Sequence, residues 1–341
     1  MRVLMAMSGG VDSSVAAAQL VAAGHDVVGV TMKLWGGPSD TGCCSVSDVD
    51  DARRVADQLG IEHHVFNFGD DFERDVVEPY VAAHRRGQTP NPCVECNRHL
   101  KFDRLLRRAS ALGFDDVATG HHARVTRLAD GSLRLCRGAD GAKDQSYVLY
   151  MLGQAELARV QFPIGHLDKA AVRAQAAEMG LRTAAKPDSQ DVCFITSDEG
   201  RRGFLGERLG LTPGRVVDAT GETIGSVDAV ELVTVGQRKG LGLVGGGPPQ
   251  YATSVDVGSA TVIAGGADDL DVHEVELRDV VWAHQPVSGR LLVQVSAHGR
   301  PAPASVVGHV VEWDEPHRVV APGQSVVLYE GDTVVGGGLA V

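Results

Sequence analysis

The first two dozen residues constrain this chain more than any other stretch. The apolar run Val3-Leu4-Met5-Ala6-Met7 has the length of a buried strand, and the alanine-rich run Val15 to Ala23, closed by Gly24, has helical spacing and helix-forming residues. Ser8-Gly9-Gly10-Val11-Asp12-Ser13-Ser14 lies between them. A strand, a glycine loop and a helix N-terminus therefore follow in succession. The first turn of a helix leaves backbone N–H groups unpaired and carries the positive end of the dipole, so this junction suits an anion such as phosphate. Gly9 and Gly10 let the backbone curl without a Cβ in the way, and Ser8, Ser13 and Ser14 add hydroxyl donors. Asp12 would repel a phosphate unless it caps the helix or holds a Mg²⁺, and both roles are expected of it. No lysine follows the glycines, so the spacing is neither G-x-x-x-x-G-K-[ST] nor G-x-G-x-x-G.

The pattern that starts there continues. Asp26 to Thr31 and His63 to Phe68 read as strands, with a helix over Ser47 to Leu59 between them, and helices are expected over Asp71 to His84 and Arg98 to Leu112 before a short strand at Asp116 to Thr119. Such alternation predicts a parallel sheet covered on both faces, with ligands at the carboxyl ends of its strands. Arg124 to Cys136 reads as a hairpin about Asp130-Gly131, Lys143 to Val160 as a helix, and Asp168 to Met179 as a helix capped by Asp168. After a last helix near Asp198 to Leu209 the chain turns to short β segments at Gly214 to Val227, Val230 to Val235 and Tyr251 to Ala264. Five more are expected near Val275 to Trp282, Leu291 to Ser296, Ala304 to Val310, Gln324 to Tyr329 and Thr333 to Val341. The expected class is α/β: a parallel-sheet domain over residues 1–206, a small β domain over 207–268 and a barrel-like domain over 269–341.

Composition limits the function. With 43% hydrophobic and 22% charged residues the chain is globular rather than disordered, and no apolar run is long enough to span a bilayer. No charged leader precedes the first strand, so a cytoplasmic protein with no membrane partner is expected. A net charge of −12 argues at first against nucleic acid, but Arg98, Lys101, Arg104, Arg107 and Arg108 stand against Asp103 alone, a local charge of +4. Six cysteines in such a chain are redox, metal or packing residues rather than a disulfide framework.

Two cysteine loops carry further chemistry. In Thr89-Pro90-Asn91-Pro92-Cys93-Val94-Glu95-Cys96-Asn97 the prolines stiffen the chain, and Cys96 just precedes a helix N-terminus and the basic run beginning at Arg98, where the helix dipole and the arginines favour a nucleophilic thiolate. Cys93 and Cys96 are also a C-x-x-C, but zinc would need two more ligands from Cys43-Cys44 or His63-His64, neither of which has the matching spacing. In Ala184-Ala185-Lys186-Pro187-Asp188-Ser189-Gln190-Asp191-Val192-Cys193-Phe194-Ile195 polar residues crowd one side of a cysteine, which is either a functional thiol or a small packing residue. His121, beside Gly120, is placed to meet phosphates. Cys43, Cys44 and Cys136 read as packing residues.

SGGVDSS resembles the PP-loop of the ATP pyrophosphatases, which split ATP between its α- and β-phosphates and activate a carbonyl oxygen as an adenylate. With TPNPCVECN, ATGHHAR (Ala118 to Arg124), KDQSYVLY (Lys143 to Tyr150) and KPDSQDVCFI in that order, the chain is similar to the bacterial tRNA-specific 2-thiouridylases from residue 1 to about 265, and less so in its last domain. The resemblance implies an adenine nucleotide alpha hydrolase-like, Rossmann-like first domain that binds ATP, with Mg²⁺, through Ala6, Met7, Ser8, Gly9, Gly10, Val11, Asp12 and Ser13, with Met32 and Gly120 at the adenosine. It implies that O2 of the wobble uridine, position 34, attacks the α-phosphorus and releases pyrophosphate. Cys193 would carry a persulfide whose sulfur comes from L-cysteine through a cysteine desulfurase or relay protein. Cys96 would attack that persulfide, leaving a transient Cys96–Cys193 disulfide, while sulfide displaces AMP. Asn91, Pro92 and Cys93 would lie near the target base and Lys143, Asp144 and Gln145 near the RNA, the substrates being tRNAs such as those for Glu, Gln and Lys. No resident metal is implied. Cys93 is aspartate in some relatives. An aromatic-and-arginine RNA contact of the last domain is replaced here by Ser296-Ala297-His298-Gly299.

The chemistry is consistent with that reading, since adenylation turns a uridine oxygen into a leaving group and sulfur must come from a thiolate-type donor. The alternatives are another PP-loop enzyme, either a thiolase of a different base or an amide-forming synthetase that needs no cysteines, and a zinc-stabilised RNA-binding module.

Overall fold

The computed structural model describes residues 1–34, 45–188, 192–195, 200–243 and 247–341, so Cys43, Cys44, Ser189 to Asp191 and part of the Gly236 to Pro249 loop lie outside the described residues. The expected parallel sheet is present. Strands β1 (Arg2–Ala6), β2 (Asp26–Lys33), β3 (His63–Asn67) and β4 (Asp116–Ala118) are joined by β7 (Val160–Gln161), which follows a hairpin of β5 (Ala123–Arg127) and β6 (Leu133–Arg137). The sheet order is β3-β2-β1-β4-β7 and each neighbouring pair is parallel.

Alternation along β1 sorts its side chains onto two cores. Val3 and Met5 pack with α1 (Val11–Ala22), α2 (Val46–Leu59) and α5 (Lys169–Glu178), while Leu4 packs with α3 (residues 69–84) and α4 (residues 92–111) on the other face. A last short helix, α6 (Gly200–Gly206), adds Phe204 and Leu205 to that second core. It ends at Gly206, short of the Leu209 expected, and Asp198 lies outside the described residues.

Three expectations are corrected. The helix expected over Lys143 to Val160 is a 3₁₀ turn at Ser146–Leu149, a single helical turn at Gln154–Leu157, and then β7. The carboxylate of Asp144 accepts from the backbone N–H of Gly138 (2.9 Å) and of Ser146 (3.0 Å) and from the Ser146 hydroxyl (2.8 Å), and this fixes a turn where a helix would have to run. Val230 to Val235, expected as a strand, is a 3₁₀ turn over Val230–Leu232, with the Glu231 carboxylate taking the Thr212 N–H. Helix α4 begins at Pro92 rather than Arg98. Asn91 is its N-cap, accepting from Cys93 N at 3.0 Å, with proline at the first helical position.

The remaining chain forms two β units. Strands β8 (Gly214–Val217), β9 (Thr223–Val227), β10 (Tyr251–Asp256) and β11 (Thr261–Gly265) make a sheet in the order β10-β11-β8-β9. Strands β12 (Asp271–Trp282), β13 (Gly289–Gln294), β14 (Ala302–Val307), β15 (Val310–Arg318), β16 (Ser325–Glu330) and β17 (Thr333–Ala340) close into a barrel through β12 and β17. Strand β15 is the one that sequence reading passed over. The β5–β6 hairpin of the first unit pairs with β17, so the barrel is built onto the parallel-sheet domain. Tyr147 Oη donates to Ser325 O at 2.8 Å, and the Arg137 guanidinium lies 3.7 Å over the Tyr329 ring. The turn at Pro322 accepts the N–H of Thr89 (2.8 Å), so the barrel also supports the Thr89–Asn97 loop. Cys136 sits at the hairpin join among Thr126 and Thr333, a packing position. Among the described residues no helix is long and apolar enough to cross a membrane.

His84, 3% exposed, ends α3 against the second unit, with Nδ1 3.3 Å from Glu231 O and its ring 4.6 Å from that of Tyr80. Burial pushes its pKa down to about 4, with the nearby Arg201 charge acting in the same direction. The unfolded chain, with an ordinary value of 6.5, therefore takes up this proton first. The contribution of His84 to stability should fall by about 3 kcal/mol as pH drops from about 6.5 to about 4 and be constant below that. Urea unfolding at several pH values checks this, since His84→Gln should reduce the slope in that interval, the remainder coming from other buried histidines such as His121. An unchanged slope would remove His84 as its cause.

Candidate functional site

The glycine loop sits at the carboxyl end of β1, the edge where ligands bind in open parallel sheets. Gly9 has φ +72° and Gly10 is extended at φ −92°, ψ 165°, forming the N-cap of α1 without a side-chain cap. A Cβ on Gly9 would stand 2.2 Å from Asp48 O, and one on Gly120 would stand 2.6 Å from Ser13 N. Both glycines are therefore required by close backbone approach. Gly9→Ala should cost roughly 2 kcal/mol or more from the left-handed conformation and the clash together, visible as a lower melting temperature. A variant with the parent's melting temperature would contradict this.

Ser8 is exposed on the loop, whereas the Ser13 and Ser14 hydroxyls both donate to Gly10 O, at 3.1 and 2.8 Å, so their protons are used within the loop. Met7 and Val11 are each 2% exposed with side chains in the core, and the backbone of Met7 is tied to β2, its N–H donating to Val30 O at 2.8 Å and its carbonyl accepting from the Thr31 hydroxyl at 2.7 Å. Ala6 ends β1, and Met32, near the end of β2, packs with the core beside α3 and α4.

Asp12 does not cap α1. Its two carboxylate oxygens accept from Lys169 Nζ at 2.9 and 2.7 Å, and His122 Nε2 lies 3.2 Å from Oδ1. Burial alone would raise this carboxyl, but the bonds from His122 and Lys169 outweigh it and hold the pKa below the usual carboxylate value. Lys169 Nζ also contacts Asp188 Oδ1 at 2.8 Å, and Asp188 Oδ2 accepts from Lys143 Nζ at 2.7 Å. Burial opposes the charged form of Asp188 as well, yet Lys143 and Lys169 bring its pKa to about 2. Gln145 joins through His122, whose N–H its side-chain oxygen accepts at 2.9 Å, so that six residues form one hydrogen-bonded chain, the polar ring, which includes Asp12 in the first turn of α1.

This arrangement answers several sequence expectations. Lys143 and Gln145 belong to the polar ring. Asp144 is turned inward, its carboxylate 5% exposed and held by Arg137 at 2.8 Å. His121 is packed between Phe102 and Phe162, with Nδ1 2.6 Å from Thr119 Oγ1, and burial pushes its pKa well below the ordinary value, so it stays neutral and away from the loop. Lys169 and His122 were not read as site residues. The signal for Lys169 was a cation in the first turn of a helix, immediately after the N-cap Asp168, where the dipole disfavours it.

A phosphate fits the loop, because glycines shape the cradle, a helix N-terminus faces it and lysines adjoin it. A Mg²⁺ at Asp12 would have to share the carboxylate with Lys169, which bonds both oxygens, and with His122 at Oδ1. Among the described residues no group of three or more His, Cys, Asp or Glu is arranged to hold a metal.

Cys93 is half-buried in the first turn of α4, where Asn91 caps its N–H. Cys96 is 8% exposed, one turn further on, where α4 passes from α-helix (Pro92–Glu95) into π-helix (Cys96–Arg104). The helix dipole expected to act on Cys96 therefore falls on Cys93. Cys193, half-buried, packs against the same apolar cluster that contains Cys96, and its neighbour Phe194 is fixed among Phe72, Tyr80 and Phe204. Both cysteines therefore border one large apolar core, which extends from Leu4 to Val334. Of the basic run on α4, Arg98, Arg104 and Arg107 pair with Glu95, Asp71 and Asp103, and Arg108 lies over Phe66, so much of the +4 is compensated.

A five-stranded parallel sheet with this glycine loop at its edge defines an α/β domain of the PP-loop class. The family profile described as tRNA methyl transferase HUP domain matches residues 1–197, that of a tRNA methyl transferase PRC-barrel domain residues 202–266, and that of an aminomethyltransferase beta-barrel domain residues 272–340. The chain is 51% identical to the tRNA-specific 2-thiouridylase MnmA of Mycolicibacterium paratuberculosis, with 98% of each chain covered. It is 46% identical to the protein of the same name from Cutibacterium acnes, covering 98% of this chain and 95% of that one. The chain belongs to the tRNA-specific 2-thiouridylase family. A solved 4-thiouridine synthetase in complex with RNA and bound ATP is a distant likeness, with a TM-score of 0.40 and 19% identity over 59% of this chain and 46% of that one.

Proposed function

We propose that this chain is an ATP-dependent tRNA sulfurtransferase that converts the wobble uridine to 2-thiouridine, with AMP and pyrophosphate as co-products. The observation that carries the reading is the polar ring at the first turn of α1, within a chain about half identical to named 2-thiouridylases over nearly its full length, with Cys96 and Cys193 both bordering one apolar core.

The glycine loop, from Ala6 to Ser13, holds the ATP phosphates through backbone N–H groups, with Met32 and Gly120 toward the adenosine. Lys169, and Lys143 beside it, neutralise charge that builds up when uridine O2 attacks the α-phosphorus and pyrophosphate leaves. Asp12 and His122 orient Lys169 for that step. Asn91 and Pro92 shape the loop that meets the base, with Cys93 beside it. The sulfur arrives as a persulfide on Cys193, delivered from L-cysteine by a desulfurase or relay protein. The Cys96 thiolate attacks the Cys193 sulfur of that persulfide, giving the Cys96–Cys193 disulfide and HS⁻. HS⁻ then adds at C2 and AMP departs, so atoms and electrons balance. A reductant must reopen the disulfide before the next turnover. No step here is routed through Mg²⁺.

The work is assigned to the domain of residues 1–206, with residues 207–268 and 269–341 as supporting units. The substrates are tRNAs with a wobble uridine such as those for Glu, Gln and Lys, and the reaction belongs in the cytoplasm. The test is pyrophosphate release by the full chain with ATP and such a tRNA. Release that requires the wobble uridine supports the assignment, and release that needs an added amine instead of tRNA favours an amide-forming synthetase.

A further inference from the structure

Cys93 and Cys96 form a C-x-x-C that the sulfur transfer above leaves half used, since only Cys96 has a step in it. Both stand at the start of α4. The backbone N–H of Cys96 bonds to Cys93 O and Pro92 O, so the two cysteines lie one turn apart on the same side of the helix. That spacing sets their Cα atoms roughly 5 Å apart, inside the window of about 4.4–6.8 Å that a disulfide spans.

The surroundings of the two thiols differ. Cys93 is the half-buried member, in the first turn, where the helix dipole favours an attacking thiolate, and Asn91 Oδ1 takes its N–H at 3.0 Å. Cys96 is 8% exposed and belongs to the apolar core. A soluble reductant therefore reaches Cys96 poorly once it is joined to Cys193. Attack at the half-buried Cys193 would leave the reductant on the sulfur carrier, where the next persulfide has to form.

We propose that Cys93 is the resolving thiol of the cycle. Its thiolate attacks Cys96 Sγ in the Cys96–Cys193 disulfide; the Cys93–Cys96 bond forms as the Cys96–Cys193 bond breaks, and the electron pair leaves on the Cys193 sulfur. The exchange involves no net oxidation, and it returns Cys193 as the thiolate that accepts the next sulfur. The new disulfide includes the more exposed cysteine, and an external dithiol supplies the two electrons and two protons that restore both thiols. This rests on the sulfur-transfer reading given above.

The test uses the full chain, treated with a persulfide donor, freed of excess donor, and given ATP and a tRNA with a wobble uridine for one turnover without reductant. After an acid quench the remaining thiols are alkylated and disulfides are mapped by peptide mass spectrometry. Wild type should show Cys93–Cys96 with Cys193 alkylated, and Cys93→Ser should stop at Cys96–Cys193. With a dithiol reductant present, the ratio of steady-state to first-turnover thiolation should be about 10-fold lower in Cys93→Ser than in wild type. A cysteine that only shapes the base loop would slow both phases alike. A wild type that stops at Cys96–Cys193, or a Cys93→Ser variant with the wild-type ratio, would overturn the proposal. If 2-thiouridine forms and neither disulfide appears, the sulfur-transfer reading fails and the proposal with it.

Discussion

Replacing Lys169 by methionine should lower tRNA-dependent pyrophosphate release by about 100-fold or more, the range found when one preorganised charge facing a transition state is removed. The side chain is nearly buried and lies between Asp12 and Asp188, so the variant leaves two carboxylates beside the phosphate site without the ammonium that binds both. Their repulsion should weaken ATP binding in addition to slowing the chemistry. Both kcat and KM for ATP are therefore expected to move. Lys169→Arg keeps the charge but not the compact three-donor geometry, and should recover part of the loss. A Lys169→Met enzyme within a few-fold of wild type would show that the ring only supports the fold.

Cys96→Ser and Cys193→Ser should each abolish 2-thiouridine formation from a persulfide donor, by at least about 1000-fold, because a hydroxyl at neutral pH is neither a useful nucleophile toward persulfide nor a carrier of sulfur. Pyrophosphate release should survive, because neither cysteine lies in the polar ring around Asp12. This split between adenylation and sulfur transfer separates a thiolase from a synthetase on the same loop. Equal loss of both half-reactions would mean that the cysteines serve the nucleotide site or the packing of the cluster. Normal thiolation in either variant would remove that cysteine from the mechanism.

What could be read from the sequence depended on how local its cause is. The strand, glycine loop and first helix are set by an apolar run, two glycines and an alanine-rich stretch, and they stand where the sequence puts them. The start of α4 was also local, in the Asn91-Pro92 pair, but the basic run drew the boundary to Arg98 and so placed the helix dipole on Cys96 instead of Cys93. Strand β15 carried the period-2 signal too: Val311 and Trp313 are buried, and alternate with Glu312 and Asp314. Its charges and Pro316 disguised it. The segment from Lys143 to Val160 failed for a non-local reason, since Asp144 is held by Arg137 and Gly138 on β6 and beyond it, and β7 contributes only two residues to the sheet. The ring itself was least legible. Lys169 meets Asp12 across 157 positions and Lys143 meets Asp188 across 45, and no local pattern marks such pairs. The pairing of Cys96 with Cys193 came from family resemblance rather than from spacing, and the two border one large apolar core.

The most direct test of the central claim is nucleoside analysis of tRNA after incubation with the full chain, ATP and a persulfide donor with reductant. The account predicts 2-thiouridine at the wobble position, formed only when ATP is present. Pyrophosphate release with no thiolated base, or sulfur found on another nucleoside, would contradict it.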